Sequence, residues 1–87
     1  MKLLWEERAW QEYLDWQTQD TRTLKRLNVL LKDIQRGSVG GIGKVERLKG
    51  NLSGCLSRRI DEKNRLVYRI TGDVAQIISC RGHYGDK

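Results

Sequence analysis

The spacing of apolar residues changes once along this chain, and that change limits the folds open to it. From Glu6 onward Ala9, Trp10, Tyr13 and Leu14 recur at helical spacing, and after Asp20 so do Leu24, Leu27, Leu31 and Ile34. Glu6 and Glu7 suit the positive end of the first helix dipole, Asp20 can cap the second helix, and Gly37 can end it. After the glycine-rich linker 37–43 (GSVGGIG) the chain reads as strands: Cys55–Ile60, Arg65–Thr71 and Val74–Cys80. The turn-forming Asp61-Glu62-Lys63-Asn64 and Gly72-Asp73 separate them. Lys2–Trp5 suits a first strand. The order β-α-α-β-β-β predicts an α+β fold, with two N-terminal helices packed on one face of a mostly antiparallel sheet and the other face open. The expected core is Trp10, Leu14, Leu27, Leu31, Leu66, Tyr68 and Ile77. The facing of the last strand stays open, because a one-residue slip reverses it.

Eighty-seven residues make one domain with a small core, and leave no room for a separate cofactor domain. Residues 1–36 hold seven basic and six acidic side chains, whereas residues 37–87 hold ten and five. A polyanion is therefore drawn to the second half, and nucleic acid is the usual partner of so basic a small protein. Cys55 and Cys80 form no CxxC pair and sit among apolar or small residues, which reads as buried thiols in a reducing cytosol. The N-terminus turns acidic by Glu6, unlike a signal peptide, and no run approaches the ~18 apolar residues of a membrane span. The expected location is the cytoplasm, with no membrane partner.

Glycines before Lys44 invite comparison with a phosphate-binding P-loop. The motif fails, because Ser38 stands where its first glycine belongs and Val45 where Ser or Thr belongs. Arg59 and Arg65 flank the 61–64 turn symmetrically and should be neighbours across the hairpin, an arrangement eased by an anion between them. Arg58 and Arg69 add charge, although alternation puts Arg58 on the face opposite Arg59. Glu46 is the odd acid among Lys44, Arg47 and Lys49, and His83, the sole histidine, stands beside Arg81 and Tyr84. Singly, an exposed glutamate or a terminal histidine says little. Together they match what RNA cleavage needs: a base for the 2′-hydroxyl, an acid for the departing 5′-oxygen, and cations around the phosphorane. One histidine and two distant cysteines lack zinc-ligand spacing, and no G-x-S-x-G elbow occurs, so no metal or other cofactor is expected.

The segments MKLLWEERAWQEYLDWQ, ERLKGNLSGCLSRRIDEKNRLVY and CRGHY, which span most of the chain, resemble the Txe/YoeB branch of the RelE toxin superfamily. That resemblance implies a ribosome-dependent messenger-RNA endonuclease acting with the 70S ribosome. It also implies a cognate, YefM-like antitoxin that is partly disordered and acidic overall; a homodimer is compatible with it. By matching positions, Glu46 is the general base, His83 the general acid, Arg65 the transition-state cation and Tyr84 a positioning group. Lys49 and Arg59 would hold the RNA backbone, with Arg58 and Arg81 as further substrate-binding cations. The sequence departs from the family at Cys55 and Leu56, where aromatics are usual, and in the Gly-Asp-Lys tail after Tyr84. A non-catalytic basic module of the same fold, binding RNA or an antitoxin, is the alternative, but such a binder has no need of the acid–base pair. A DNA-binding repressor subunit ranks last, since no helix carries a basic recognition face.

Overall fold

The computed structural model describes residues 1–37 and 41–82. Strand β1 (Lys2–Trp5) passes through Glu6 into helix α1 (Glu7–Gln19), and Asp20 alone separates α1 from α2 (Thr21–Gln35). The chain then crosses to β2 (Glu46–Arg47), a 3₁₀ turn at Gly50–Leu52, β3 (Leu56–Arg59), β4 (Arg65–Thr71) and β5 (Val74–Ser79). The sharp break at Asp20 works because its carboxylate caps α2. One oxygen accepts the N–H groups of Arg22 and Thr23 at 3.0 and 3.1 Å, and the other accepts the Thr23 hydroxyl at 2.8 Å. These bonds, the Thr23 hydroxyl foremost, hold the Asp20 carboxyl below its ordinary range.

The five strands lie in the order β1-β5-β4-β3-β2, with β1 parallel to β5 and the other pairs antiparallel. Since β1 and β2 occupy opposite edges, the connection between them must cross the sheet, and the α1–α2 hairpin makes that crossing. The α+β architecture expected from the sequence is present, with β2 as an added short edge strand. Of the predicted linker, residues 38–40 lie outside the described residues, as does the 85–87 tail.

The main core fills the space between hairpin and sheet: Ala9, Trp16, Leu27, Leu30, Leu31 and Ile34 meet Leu66, Tyr68, Ala75 and Ile77. Leu27, Leu31, Leu66, Tyr68 and Ile77 are buried as expected, and β5 turns Ala75 and Ile77 toward the helices. Trp10 and Leu14 are not core; they are 45% and 39% exposed. The cause is a polar clamp that hydropathy does not register. Cys80 N–H donates to Glu12 Oε1 at 2.8 Å and Trp16 Nε1 donates to Cys80 O at 2.9 Å, which rotates α1 so that Ala9, Glu12, Tyr13 and Trp16 face inward. Trp10 remains at the rim, edge-on to Trp5 with ring centres 5.5 Å apart and stacked on Tyr13 at 5.8 Å.

The far face of the sheet is not bare. Leu48 and Cys55 bury Val67, with Leu52 and Ile78 packed alongside, so the 48–55 segment roofs part of it. Cys55 and Cys80 are both free and buried, one in each cluster. Burial, with the Glu12 carboxylate nearby, pushes the Cys80 thiol up to about 12, far from reactive. Among the described residues no helix is long and apolar enough to cross a membrane.

Candidate functional site

Register, more than proximity in sequence, assembles the charged part of the far face. Glu46 pairs with Ser57, Ser57 with Val67, and Val67 with Ser79, so one cross-strand row carries Glu46 at its end. One pleat further along, Arg59 pairs with Arg65. Side chains two apart on a strand share a face, so Glu46, Arg59 and Arg65 all project away from the helices. Strand spacing and rise put the Glu46 and Arg59 Cα atoms about 8 Å apart, within reach of long side chains.

The loop that delivers Glu46 is fixed from below. Gly43 accepts the Arg59 N–H at 2.6 Å and has φ +92°, where only glycine rests easily. A Cβ there would stand 2.8 Å from Leu30 Cδ2 and 3.2 Å from Arg58 Cβ. Arg58 anchors the same loop from inside. It is 1% exposed, its Nε donates to the Tyr68 hydroxyl at 2.9 Å, and its Nη1 bonds Asp33 Oδ2 and the Ile42 carbonyl, the latter at 3.2 Å. Burial opposes the Arg58 charge, but the bonds to Tyr68 and Asp33 outweigh it and hold its pKa above the ordinary arginine value. The expectation that Arg58 binds substrate is therefore corrected: its charge is committed inside the fold.

Arg81, the other further substrate-binding candidate, is partly exposed and turned toward α1. Its guanidinium lies 4.4 Å from the centre of the Trp16 ring and its Nη2 donates to Gln19 Oε1, which ties it to α1. Arg59 and Lys49 are exposed on the far side, Lys49 at the start of the roofing segment, and Arg69 joins them through Nη2, 3.5 Å from Cys55 Sγ. Leu56 packs against the main core and Cys55 in the far-face cluster, so both departures from the family pattern are packing residues.

Arg65 is held by the turn before it. Its Nη1 donates to the carbonyls of Asp61 at 2.7 Å and Asn64 at 3.1 Å. The turn is in turn held by the Asp61 carboxylate, which accepts the N–H groups of Lys63 and Asn64 at 2.8 and 2.7 Å. Burial opposes that charge, but the Asn64 amide and these N–H groups outweigh it and keep the Asp61 carboxyl below its usual range. Sequence reading recognised the turn without these roles; an aspartate followed three residues later by asparagine was the available signal. His83 and Tyr84 lie outside the described residues, which end at Gly82. That residue is pinned here: Arg65 N–H donates to its carbonyl at 2.9 Å, and its own N–H donates to Asn64 Oδ1 at 2.8 Å.

A helical hairpin on one face of a five-stranded sheet is the α+β arrangement shared with RelE-superfamily toxins of known structure. Residues 5–84 match the family described as the YoeB-like toxin of bacterial type II toxin–antitoxin systems, and the chain belongs to that family. Toxin YoeB of Escherichia coli K12 is 52% identical over 84 residues, covering 97% of this chain and all of that one. A YoeB/ParE toxin from Agrobacterium tumefaciens superposes with TM-score 0.90 at 41% identity, over 97% of this chain and 100% of that chain. The YoeB–YefM toxin–antitoxin heterotetramer of Staphylococcus aureus contains a chain with TM-score 0.85 and 41% identity, covering 97% and 98%.

Proposed function

We propose that this toxin is an endoribonuclease that cuts messenger RNA on the 70S ribosome in the cytoplasm, with the RNA 2′-hydroxyl as nucleophile and no metal needed for the bond-breaking step. The observation that supports it is the shared face: an exposed carboxylate, Glu46, stands beside Arg59 and Arg65 on the side of the sheet away from the helices. Glu46 takes the 2′-proton as the oxygen attacks phosphorus. The P–O5′ bond breaks and His83 protonates the departing oxygen. Arg65, its guanidinium already held by the turn carbonyls of Asp61, Glu62 and Asn64, faces the developing phosphorane charge at little reorganisation cost. Arg59 and Lys49 hold the backbone phosphates, and Tyr84 positions the nucleotide. So shallow a basic surface selects RNA weakly, and the ribosome supplies a fixed strand and orientation.

The partner on this reading is a cognate antitoxin, as in the staphylococcal YoeB–YefM complex. An acidic, partly disordered segment suits Arg59 and Arg65, while the exposed Trp10 and Leu14 of α1 and the groove lined by Tyr13, Asn28, Val29 and Leu31 offer apolar contacts.

End-group analysis is the decisive measurement. A 2′,3′-cyclic phosphate (or the 3′-phosphate from its opening) with a 5′-hydroxyl is expected; a 5′-phosphate with a 3′-hydroxyl would mean attack by water and end the proposal. Glu46→Gln and His83→Gln should each lower the single-turnover rate by about 10²–10⁴-fold with binding nearly intact. Rates within a few-fold of wild type would favour a non-catalytic binding module.

A further inference from the structure

Beyond Ser79 the sheet ladder no longer fixes the chain, yet both backbone groups of Gly82 are engaged, by the last residue of the 61–64 turn and the first of β4. The Asn64 side chain works at both ends. Its Nδ2 donates to Asp61 Oδ1 and Oδ2 at 3.1 and 3.2 Å, and its Oδ1 accepts the Gly82 N–H at 2.8 Å. An ionised carboxylate only accepts, so Asp61 fixes which way the amide points and leaves the oxygen for Gly82. Arg65, next in sequence, takes the Gly82 carbonyl with its N–H while its guanidinium rests on the carbonyls of the same turn. Gly82 itself has φ +83° with nothing within 4 Å of a would-be Cβ, so its glycine serves the direction of the chain and not a close approach.

We infer that Asn64 is a positioning residue: by holding Gly82, it references the segment that carries His83 to the same four-residue turn that holds Arg65. The inference rests on the acid role proposed for His83. It gives the turn a catalytic purpose beyond closing the β3–β4 hairpin. The cation proposed to meet the phosphorane and Gly82, the root of the acid-bearing segment, are thus held by one hydrogen-bonded turn.

The test uses the purified toxin on ribosomes carrying a defined message, together with NMR of the imidazole, whose signals belong to His83 because the chain has a single histidine. Asn64→Ala should lower the single-turnover rate about 10–100-fold, the scale of an ångström-sized misplacement, with RNA affinity within about two-fold. The His83 titration should shift in the same variant, and a fall in unfolding midpoint with an unchanged titration and rate would mark Asn64 as a structural anchor only and overturn the inference. Asp61→Asn keeps one acceptor oxygen for the turn amides and loses the carboxylate that orients Asn64, so the same changes should appear at smaller size. A rate within about two-fold of wild type, with superimposable titrations, would overturn the inference. Should Asn64→Ala fail to fold, Asp61→Asn decides by the same two readouts. If the wild-type toxin leaves message intact, the proposed function fails, and the titration alone still decides whether Asn64 sets the environment of His83.

Discussion

Arg58 and Arg59 are consecutive, chemically identical and treated in opposite ways by the two faces of one sheet. Arg58 enters the helix side, where Asp33, Tyr68 and the Ile42 carbonyl satisfy it among aliphatic and aromatic side chains. Arg59 projects from the far side, opposite another arginine and one pleat from Glu46. The helix side holds a continuous core; the far side holds the small Leu48–Cys55–Val67 cluster and leaves its charges in water. Stability and the proposed polyanion binding are thus divided between faces; strand alternation sets the two arginines on opposite sides, and the distant Asp33 meets the one that turns inward.

The largest effect should come from exchanging those fates. Arg58→Ala leaves Asp33 buried without its guanidinium and should cost about 3–5 kcal/mol in urea unfolding. Arg59→Ala should change stability by less than about 0.5 kcal/mol and weaken RNA binding instead. Equal losses of stability at both sites would dissolve the distinction. Truncation of the two apolar clusters sharpens it further. Leu27→Ala should cost about 2–5 kcal/mol, and Val67→Ala about 1–2 kcal/mol. An unchanged unfolding midpoint for Leu27→Ala would mean that the hairpin does not pack as described.

The smallest effect concerns acid. The folded pKa of Asp61 lies below the ordinary carboxylate value of about 3.9, so its stabilisation is fully present above that value and is lost as pH falls through the folded pKa. Asp61→Ala should therefore cost about 1 kcal/mol at pH 7 and less near pH 3, as its turn bonds are lost in either case. Urea midpoints at the two pH values check this; a penalty that grows toward acid would contradict the turn's charge state.

Local rules made much of this protein legible before any tertiary information. The order of elements, the Asp20 cap, the 61–64 turn, the Arg59–Arg65 pairing and the opposite facing of Arg58 each depend on residues a few positions apart. Glu46 was likewise named from sequence, but only register shows that it shares a face with Arg59 and Arg65.

What the sequence by itself determined, then, was every long element and the alternation of faces within the β3–β4 hairpin, because backbone propensity and alternation act over a handful of residues; the short β2 and the facing of β5 waited on register. The tertiary structure decided the rest. The rotation of α1 comes from Glu12 and Trp16 meeting Cys80, partners 68 and 64 residues apart, and it is why Trp10 and Leu14 lie outside the core. The pairing of Arg58 with Asp33 spans 25 residues, and the stacking of Arg81 on Trp16 likewise joins distant parts of the chain. A buried charge or a rotated helix is set by whichever distant group satisfies it, and no local periodicity carries that information.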